Sequence, residues 1–279
     1  LNINTLNNRE INENNLIKGV NYSKNAWEYL KNKHKDAYIS HEALLIPLEY
    51  TATKLINKKY YNTSAHLLWV GNKTKQLNNQ QIQYLKCIEN PIGIKIDKNT
   101  SSEELIKIIK ELNPYNLKGK IILIPRIGNK NSFEILLKSW IQAITKLNLE
   151  VIWCSDPMHG NTEKLNNQKV RYLDDIKEEI IKVTNHIRKN GEDIKGLMFE
   201  SSNNINIEEC IEKKNSNMFK NKCRNYKSLC DPRINKKQLI NLIKSLDLNK
   251  NYGDICIILA KKGSVGLPNK NKMMIFSKK

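Results

Sequence analysis

The sequence predicts an α/β fold built on a parallel sheet, and three observations carry that prediction. Short apolar runs rich in branched and aromatic residues recur along the chain, amphipathic helices lie between them, and each run ends in charged or polar groups. Strand and helix in alternation is the pattern of β-α-β units. The 279 residues, 39% of them hydrophobic, suffice for one large core. A (β/α)8 barrel needs roughly 250 residues, so the length permits that architecture.

Residues 1 to about 35 are polar and Asn-rich, without a sustained apolar period, and read as a tail or linker. Order begins near Ser40-His41-Glu42-Ala43-Leu44-Leu45. The apolar runs are then Leu67-Leu68-Trp69-Val70, Ile92-Gly93-Ile94, Ile121-Ile122-Leu123-Ile124, Val151-Ile152-Trp153-Cys154, Leu197-Met198-Phe199 and Ser228-Leu229-Cys230. Near-continuous apolar runs are what parallel strands buried on both faces require. Ser101-x-x-Glu104 reads as a capping box, and the helix after it carries Leu105, Ile108, Ile109 and Leu112 on one face until Asn113-Pro114 stops it. Ile135, Leu136, Trp140, Ile144 and Leu147 form a second stripe. Ile176, Ile180, Val183 and Ile187 form a third, closed by Asn190-Gly191. Leu239, Leu242, Ile243 and Leu246 form a fourth. A last apolar run, Ile255-Cys256-Ile257-Ile258-Leu259-Ala260, stands apart and is read as a patch for a sheet edge. The chain thus divides into 1–37, 38–245 and 246–279.

The ends of the six central runs carry Asn72-Lys73, Lys95, Arg126, Asp156 with His159, Glu200, and Asp231 with Arg233. Ligands of parallel α/β folds sit at the C-terminal ends of the strands. One charge after a strand is usually a solvated loop; six in succession point to a site. Lys73, Lys95 and Arg126 supply cations for a phosphate or carboxylate. His159, Glu200 and Asp231 supply one imidazole and two carboxylates, a donor set that suits Mn2+, Fe2+, Co2+ or Zn2+. Together they describe an anionic substrate beside a Lewis-acid metal.

The remaining composition narrows the classes. Net charge is +19, but the Lys residues are dispersed rather than gathered in a stripe, and no motif of nucleic-acid-binding spacing appears. Nucleic acid is therefore not the expected partner. Six cysteines lack C-x-x-C spacing and read as buried free thiols in a reducing compartment. No apolar run is long enough to span a membrane, and the first residues lack a secretory signal. The chain begins at Leu1 and is read as a fragment or a processed product. Cytoplasm and plastid both fit.

Trp153-Cys154-Ser155-Asp156-Pro157-Met158-His159-Gly160-Asn161-Thr162 resembles the signature of type II (plant-type) 3-deoxy-D-arabino-heptulosonate 7-phosphate (DAHP) synthases. Five further segments agree in order: 40–45, 63–71, Asn90-Pro91-Ile92-Gly93-Ile94-Lys95, Pro125-Arg126-Ile127-Gly128 and Cys230-Asp231-Pro232-Arg233-Ile234-Asn235. The resemblance covers about residues 38 to 245. It implies a (β/α)8 TIM-type barrel, here incomplete, with the third to eighth strands recognisable. It implies condensation of phosphoenolpyruvate with erythrose 4-phosphate and water to DAHP and phosphate, the first step of the shikimate pathway. Asn72, Lys73, Lys95 and Arg126 then match phosphoenolpyruvate-binding positions, and His159, Glu200 and Asp231 match metal ligands, with Mn2+ the expected ion. His159 and Lys95 become the proton-handling pair, and a homo-oligomer is expected.

The sequence departs from the family at defined places. Gly71-Asn72-Lys73-Thr74-Lys75-Gln76 stands where the family has G-E-R-T-R-Q, so the bidentate fork at position 73 is lost. Ser155 replaces a Cys. The family's metal-binding Cys and first two strands have no counterpart in residues 1–37. These departures motivate an alternative expectation, a non-catalytic homologue acting as a regulatory or partner subunit.

Overall fold

The computed structural model of the chain describes residues 13–33, 38–129, 133–165, 168–213, 225–228, 230–246 and 256–260. Helix α1 (Glu13–Lys33) comes first. Strand β1 (Ser40–Glu42), helix α2 (Ile46–Ala52) and the antiparallel pair β2 (Thr53–Ile56) and β3 (Lys59–Asn62) follow. Strict alternation then sets in: β4 (Leu67–Val70), α3 (Gln80–Leu85), β5 (Ile92–Ile96), α4 (Ser102–Leu112), β6 (Ile121–Pro125), α5 (Phe133–Lys146) and β7 (Ile152–Ser155). A 3-10 turn at His159–Asn161 leads into the antiparallel pair β8 (Thr162–Leu165) and β9 (Gln168–Tyr172). Helix α6 (Leu173–Lys189), β10 (Ile194–Ser202), β11 (Cys210–Ile211), β12 (Ile234–Asn235), α7 (Lys236–Ser245) and β13 (Cys256–Ala260) complete the order.

The main sheet runs β1-β4-β5-β6-β7-β10-β12, with β13 also paired to β10. All of its pairings are parallel. The sheet curls, so that β13 comes within 8 Å of β1 between Cα atoms. This is an incomplete barrel of the (β/α)8 type.

Side-chain alternation along the strands separates two apolar layers. One lies between sheet and helices and holds Leu68, Val70, Ile94, Ile96, Leu123 and Phe199 against Leu105, Ile108, Trp140 and Ile180. The other lines the concave side: Trp69, Ile122, Ile124, Cys154 and Met198. Burial on both faces accounts for the near-continuous apolar runs. Gly93 lies on the concave side, where a Cβ would meet Ile124 and Trp69 at 2.8 Å. Two residues further on, Lys95 therefore points to the same side. By the same parity Glu200 follows Met198 on β10.

Several expectations are met and several corrected. Leu105, Ile108, Ile109 and Leu112 are buried, as are Ile176, Ile180, Val183 and Ile187. Asn113 and Asn190 are the C-caps, and Gly191 adopts φ 83°. The Ser101 side chain accepts from Glu104 N, but the full reciprocal box forms at α7, between Asn235 and Gln238. The stripe of α5 is Phe133, Leu137, Trp140, Ile141 and Ile144, whereas Ile135 is 80% exposed. Helix α1 occupies most of what reads as a tail. It docks through Leu30, which is buried, and through Trp27, whose ring stacks on His66 at 4.3 Å.

In the run Ser228-Leu229-Cys230 the described residues Ser228 and Cys230 lie outside any strand; β12 begins at Ile234. Ser228 Oγ accepts from Cys230 N and donates to Asp231 O, local bonds that compete with strand pairing. Leu229 lies outside the described residues. The late apolar run does patch an edge, since β13 pairs with β10 from Gly196↔Cys256 to Glu200↔Ala260. Cys154 and Cys210 are buried and outside any disulfide, but Cys87 is exposed; Cys223 lies outside the described residues. Residues 1–12 and 261–279 do so as well. No described helix is long and apolar enough to cross a membrane.

Candidate functional site

The site begins with Asp156, fully buried just after β7. Its Oδ1 accepts the backbone N–H groups of Met158 and His159 at 3.1 and 3.2 Å, which winds Asp156-Pro157-Met158-His159 into a tight turn. Its Oδ2 faces His159 Nδ1 at 2.6 Å and Lys95 Nζ at 3.4 Å. One carboxylate thus orients an imidazole and an ammonium at once. Burial opposes ionisation of Asp156, but the charges of His159 and Lys95 outweigh it and hold the carboxyl well below the usual range.

With Nδ1 held by Asp156, the other imidazole nitrogen points at Glu200. Nε2 lies 3.2 Å from Glu200 Oε1. Burial disfavours the charged imidazole, yet the Asp156 charge and hydrogen bond and the Glu200 hydrogen bond prevail and raise its pKa. Burial likewise pushes Glu200 up, and the bond and charge of His159, with those of Arg171, bring it below the ordinary value. Asp231 completes the group: ligand atoms of His159, Glu200 and Asp231 all lie within 4.8 Å of one another. Two carboxylates around an imidazole whose far nitrogen is anchored by a third carboxylate is an arrangement that fits a divalent cation.

The cationic side is less uniform. Lys95 is buried and its Nζ lies 5.6 Å from the centre of the Trp69 ring. Arg126 directly follows β6, its charge acts on Asp156, and among the described residues no hydrogen bond engages its guanidinium. Asn72 and Lys73 do not join this group through any described hydrogen bond or ion pair. Asn72 donates to Asp97 Oδ2 at 2.5 Å and accepts from Lys75, and Lys73 is exposed. Lys75 is the buried cation of that loop, bonded also to Thr100 Oγ1 at 2.8 Å, and burial lowers its pKa. Asp231 stands three residues before β12 rather than at a strand end, held by Lys169 at 2.8 Å. Arg233 turns away to a bidentate pair with buried Glu209, at 2.8 and 2.6 Å.

Sequence reasoning missed Arg171. Fully buried on β9, it binds Glu200 Oε2 at 2.6 Å, Pro232 O at 2.5 Å and Thr162 Oγ1 at 2.8 Å. It ties the β8–β9 pair to both acidic members of the triad's neighbourhood. The signal available was an Arg inside a short run, Lys169-Val170-Arg171-Tyr172, which is indistinguishable from a solvated edge strand.

Fold and site together define a class: a barrel-type α/β protein with a carboxylate–imidazole group whose donor set fits a cation, beside fixed positive charges at one end of its parallel strands. Within that class, the chain belongs to the Class-II DAHP synthetase family, whose model matches residues 7–246. The match takes in all of α1. A phospho-2-dehydro-3-deoxyheptonate aldolase of Neurospora crassa is 34% identical over 226 residues, covering 74% of this chain and 47% of that protein. One of Streptomyces coelicolor is 31% identical over 208 residues, with 74% and 46% covered. The protein of that name designated AroG in Mycolicibacterium smegmatis is 32% identical over 215 residues, again with 74% and 46% covered. The chain spans about half the length of the curated relatives it matches.

Proposed function

We propose that this chain carries the metal- and phosphoenolpyruvate-binding part of a 3-deoxy-7-phosphoheptulonate synthase. The enzyme would join phosphoenolpyruvate, erythrose 4-phosphate and water to DAHP and phosphate. The observation that carries the proposal is the convergence of His159, Glu200 and Asp231 beside Lys95, linked to them through Asp156, in a chain of this family.

His159, Glu200 and Asp231 would hold a divalent metal, Mn2+ by preference; such an ion, when bound, polarises the aldehyde of the second substrate. Lys95 and Arg126 offset the carboxylate and phosphate charges of phosphoenolpyruvate. The Trp69 ring and the apolar concave layer below it exclude water from the Lys95 side. Asp156 keeps the Lys95 ammonium within proton-transfer reach of the reacting carbons and fixes the imidazole tautomer. A homo-oligomer is part of the same proposal.

The test follows phosphate release and phosphoenolpyruvate consumption with Mn2+ and erythrose 4-phosphate, alongside direct Mn2+ titration. Turnover is expected to be abolished by a chelator. In Glu200→Gln, Mn2+ affinity should fall by more than the roughly 10–100-fold that outer-shell changes cost. One observation favours a second reading, a homologue that binds without turning over: Asn72, in the family's Glu position, is tied to Asp97 and Lys75. Mn2+ and phosphoenolpyruvate binding without phosphate release would favour it. Absence of Mn2+ binding would overturn the metal assignment.

A further inference from the structure

Helix α6 buries Ile176, Ile180, Val183 and Ile187 against the sheet, and on the same face it buries Glu179, 1% exposed. A carboxylate there must find partners. Among the described residues no Lys, Arg or His pairs with it. Its partners are neutral donors from two different loops. Oε1 accepts from Gly128 N at 3.2 Å, in the loop that follows Arg126. Oε2 accepts from Asn161 Nδ2 at 2.5 Å, in the turn that holds His159.

Those loops are already in backbone contact. A Cβ on Gly160 would stand 2.3 Å from Gly128 N and 2.7 Å from the carbonyl carbon of Ile127. Asn161 extends the link: its Oδ1 accepts from Asn129 N at 2.8 Å, and its Nδ2 also donates to Pro157 O at 2.9 Å. At the base, Asp156 N donates to Pro125 O at 2.8 Å. Asn129 itself is anchored to α6 through Asp175 and Glu178, at 3.1 and 2.7 Å. The two loops therefore share a polar hinge plate whose centre is the Glu179 carboxylate.

We propose that Glu179 is a positioning residue: it braces the Arg126 loop against the His159 turn and so fixes the distance between the anion-binding and cation-binding halves of the site. This rests on the reading of Arg126 as a phosphoenolpyruvate contact and His159 as a metal ligand. Glu179 touches neither substrate nor metal. Its two oxygens and the Gly128–Gly160 contact set the geometry in which the two ligands meet, where misplacement by about 1 Å costs on the order of 100-fold in rate.

The test compares the parent chain with Glu179→Gln and with the swap Glu179→Gln/Asn161→Asp, at pH 8. In the single variant the new amide N–H2 faces either the Asn161 amide or Gly128 N–H, donor against donor in both orientations. In the swap the position-161 carboxylate accepts from the new amide and still accepts from Asn129 N, so the link to α6 reforms while the bond to Pro157 O is lost. Amide hydrogen exchange is read first, without ligands. Exchange should rise about 10-fold in both loops, 126–129 and 157–161, in the single variant and return towards parent in the swap, while α4 stays unchanged. Mn2+ affinity is then measured with and without phosphoenolpyruvate; the enhancement by phosphoenolpyruvate should shrink about 10-fold in the single variant and recover in the swap. Unchanged exchange in either loop overturns the brace. Raised exchange with undiminished coupling overturns the positioning role. If the parent binds neither ligand, the functional reading of Arg126 and His159 has failed, and exchange alone decides whether the brace exists.

Discussion

Glu179 also illustrates how a buried group writes itself into the pH dependence of stability. Burial is the largest influence on its carboxyl, the charge of nearby Asp156 adds to it, and the Gly128 and Asn161 donors only partly offset them, so its pKa rises from 4.5 to about 7. An unfolded chain releases this proton near 4.5 and the folded protein near 7. Between those values the native state binds more protons, so its stability falls as pH rises, by roughly 3 kcal/mol over the window. Urea denaturation at pH 5 and pH 8 checks this: the parent should lose about 2–3 kcal/mol more than Glu179→Gln between the two. Equal losses in both proteins would mean that Glu179 does not titrate this way. The residues that carry the proposed chemistry were legible where they sit beside apolar strands: Lys95, Arg126, His159 and Glu200. Glu179 and Arg171 were not, because an acid within Lys177-Glu178-Glu179 looks like a solvated helix face, and an Arg in a five-residue strand looks like an edge. Burial alone distinguishes them, and burial is a property of the fold.

At the scale of elements, periodicity was informative where one face packs continuously. Helices α4 and α6 show this, with full 3.6-residue stripes against the sheet. Helix α1 does not, since Ile17 and Val20 are exposed and its attachment is local. Trp27 stacks on His66, Tyr38 meets the same ring edge-on at 5.0 Å, and Ile39 N donates to His66 Nδ1 at 3.0 Å. One aromatic contact leaves no repeating pattern to read. It does make a sharp expectation. Trp27→Ala should cost about 1 kcal/mol or more through the lost ring pair and open α1 to proteolysis while the barrel remains folded. Cleavage within 13–33 at the parent rate would show that the stack does not hold the helix. The misplaced sixth strand has a different cause: Ser228 bonds the local backbone with its own hydroxyl, a short-range competition that an apolar-run count does not register.

At the scale of the whole molecule, a curled sheet short of a closed barrel has edges, and exposed parallel edges invite pairing with other chains. Strand β13 covers β10 over five residues, and its last pair sets Ala260 beside Glu200. The strand that bears Glu200 is thereby paired on one side to β7 and on the other to β13 and, at Ser201 and Ser202, to β12. Ile258→Pro, in the middle of β13 opposite Met198, removes a donor and disrupts pairing on both sides of it. A loss of about 2 kcal/mol would lower Tm by roughly 4–8 °C for a chain of this size. The same change frees residues 196–200 on the edge of β10, so sedimentation should show concentration-dependent association beyond the parent's own assembly. Mn2+ affinity should fall too, because on that side β10 then keeps only its pairing with β12 at Ser201 and Ser202, beyond Glu200. A variant with unchanged Tm, sedimentation and Mn2+ binding would mean that the strand bearing Glu200 keeps its place without β13.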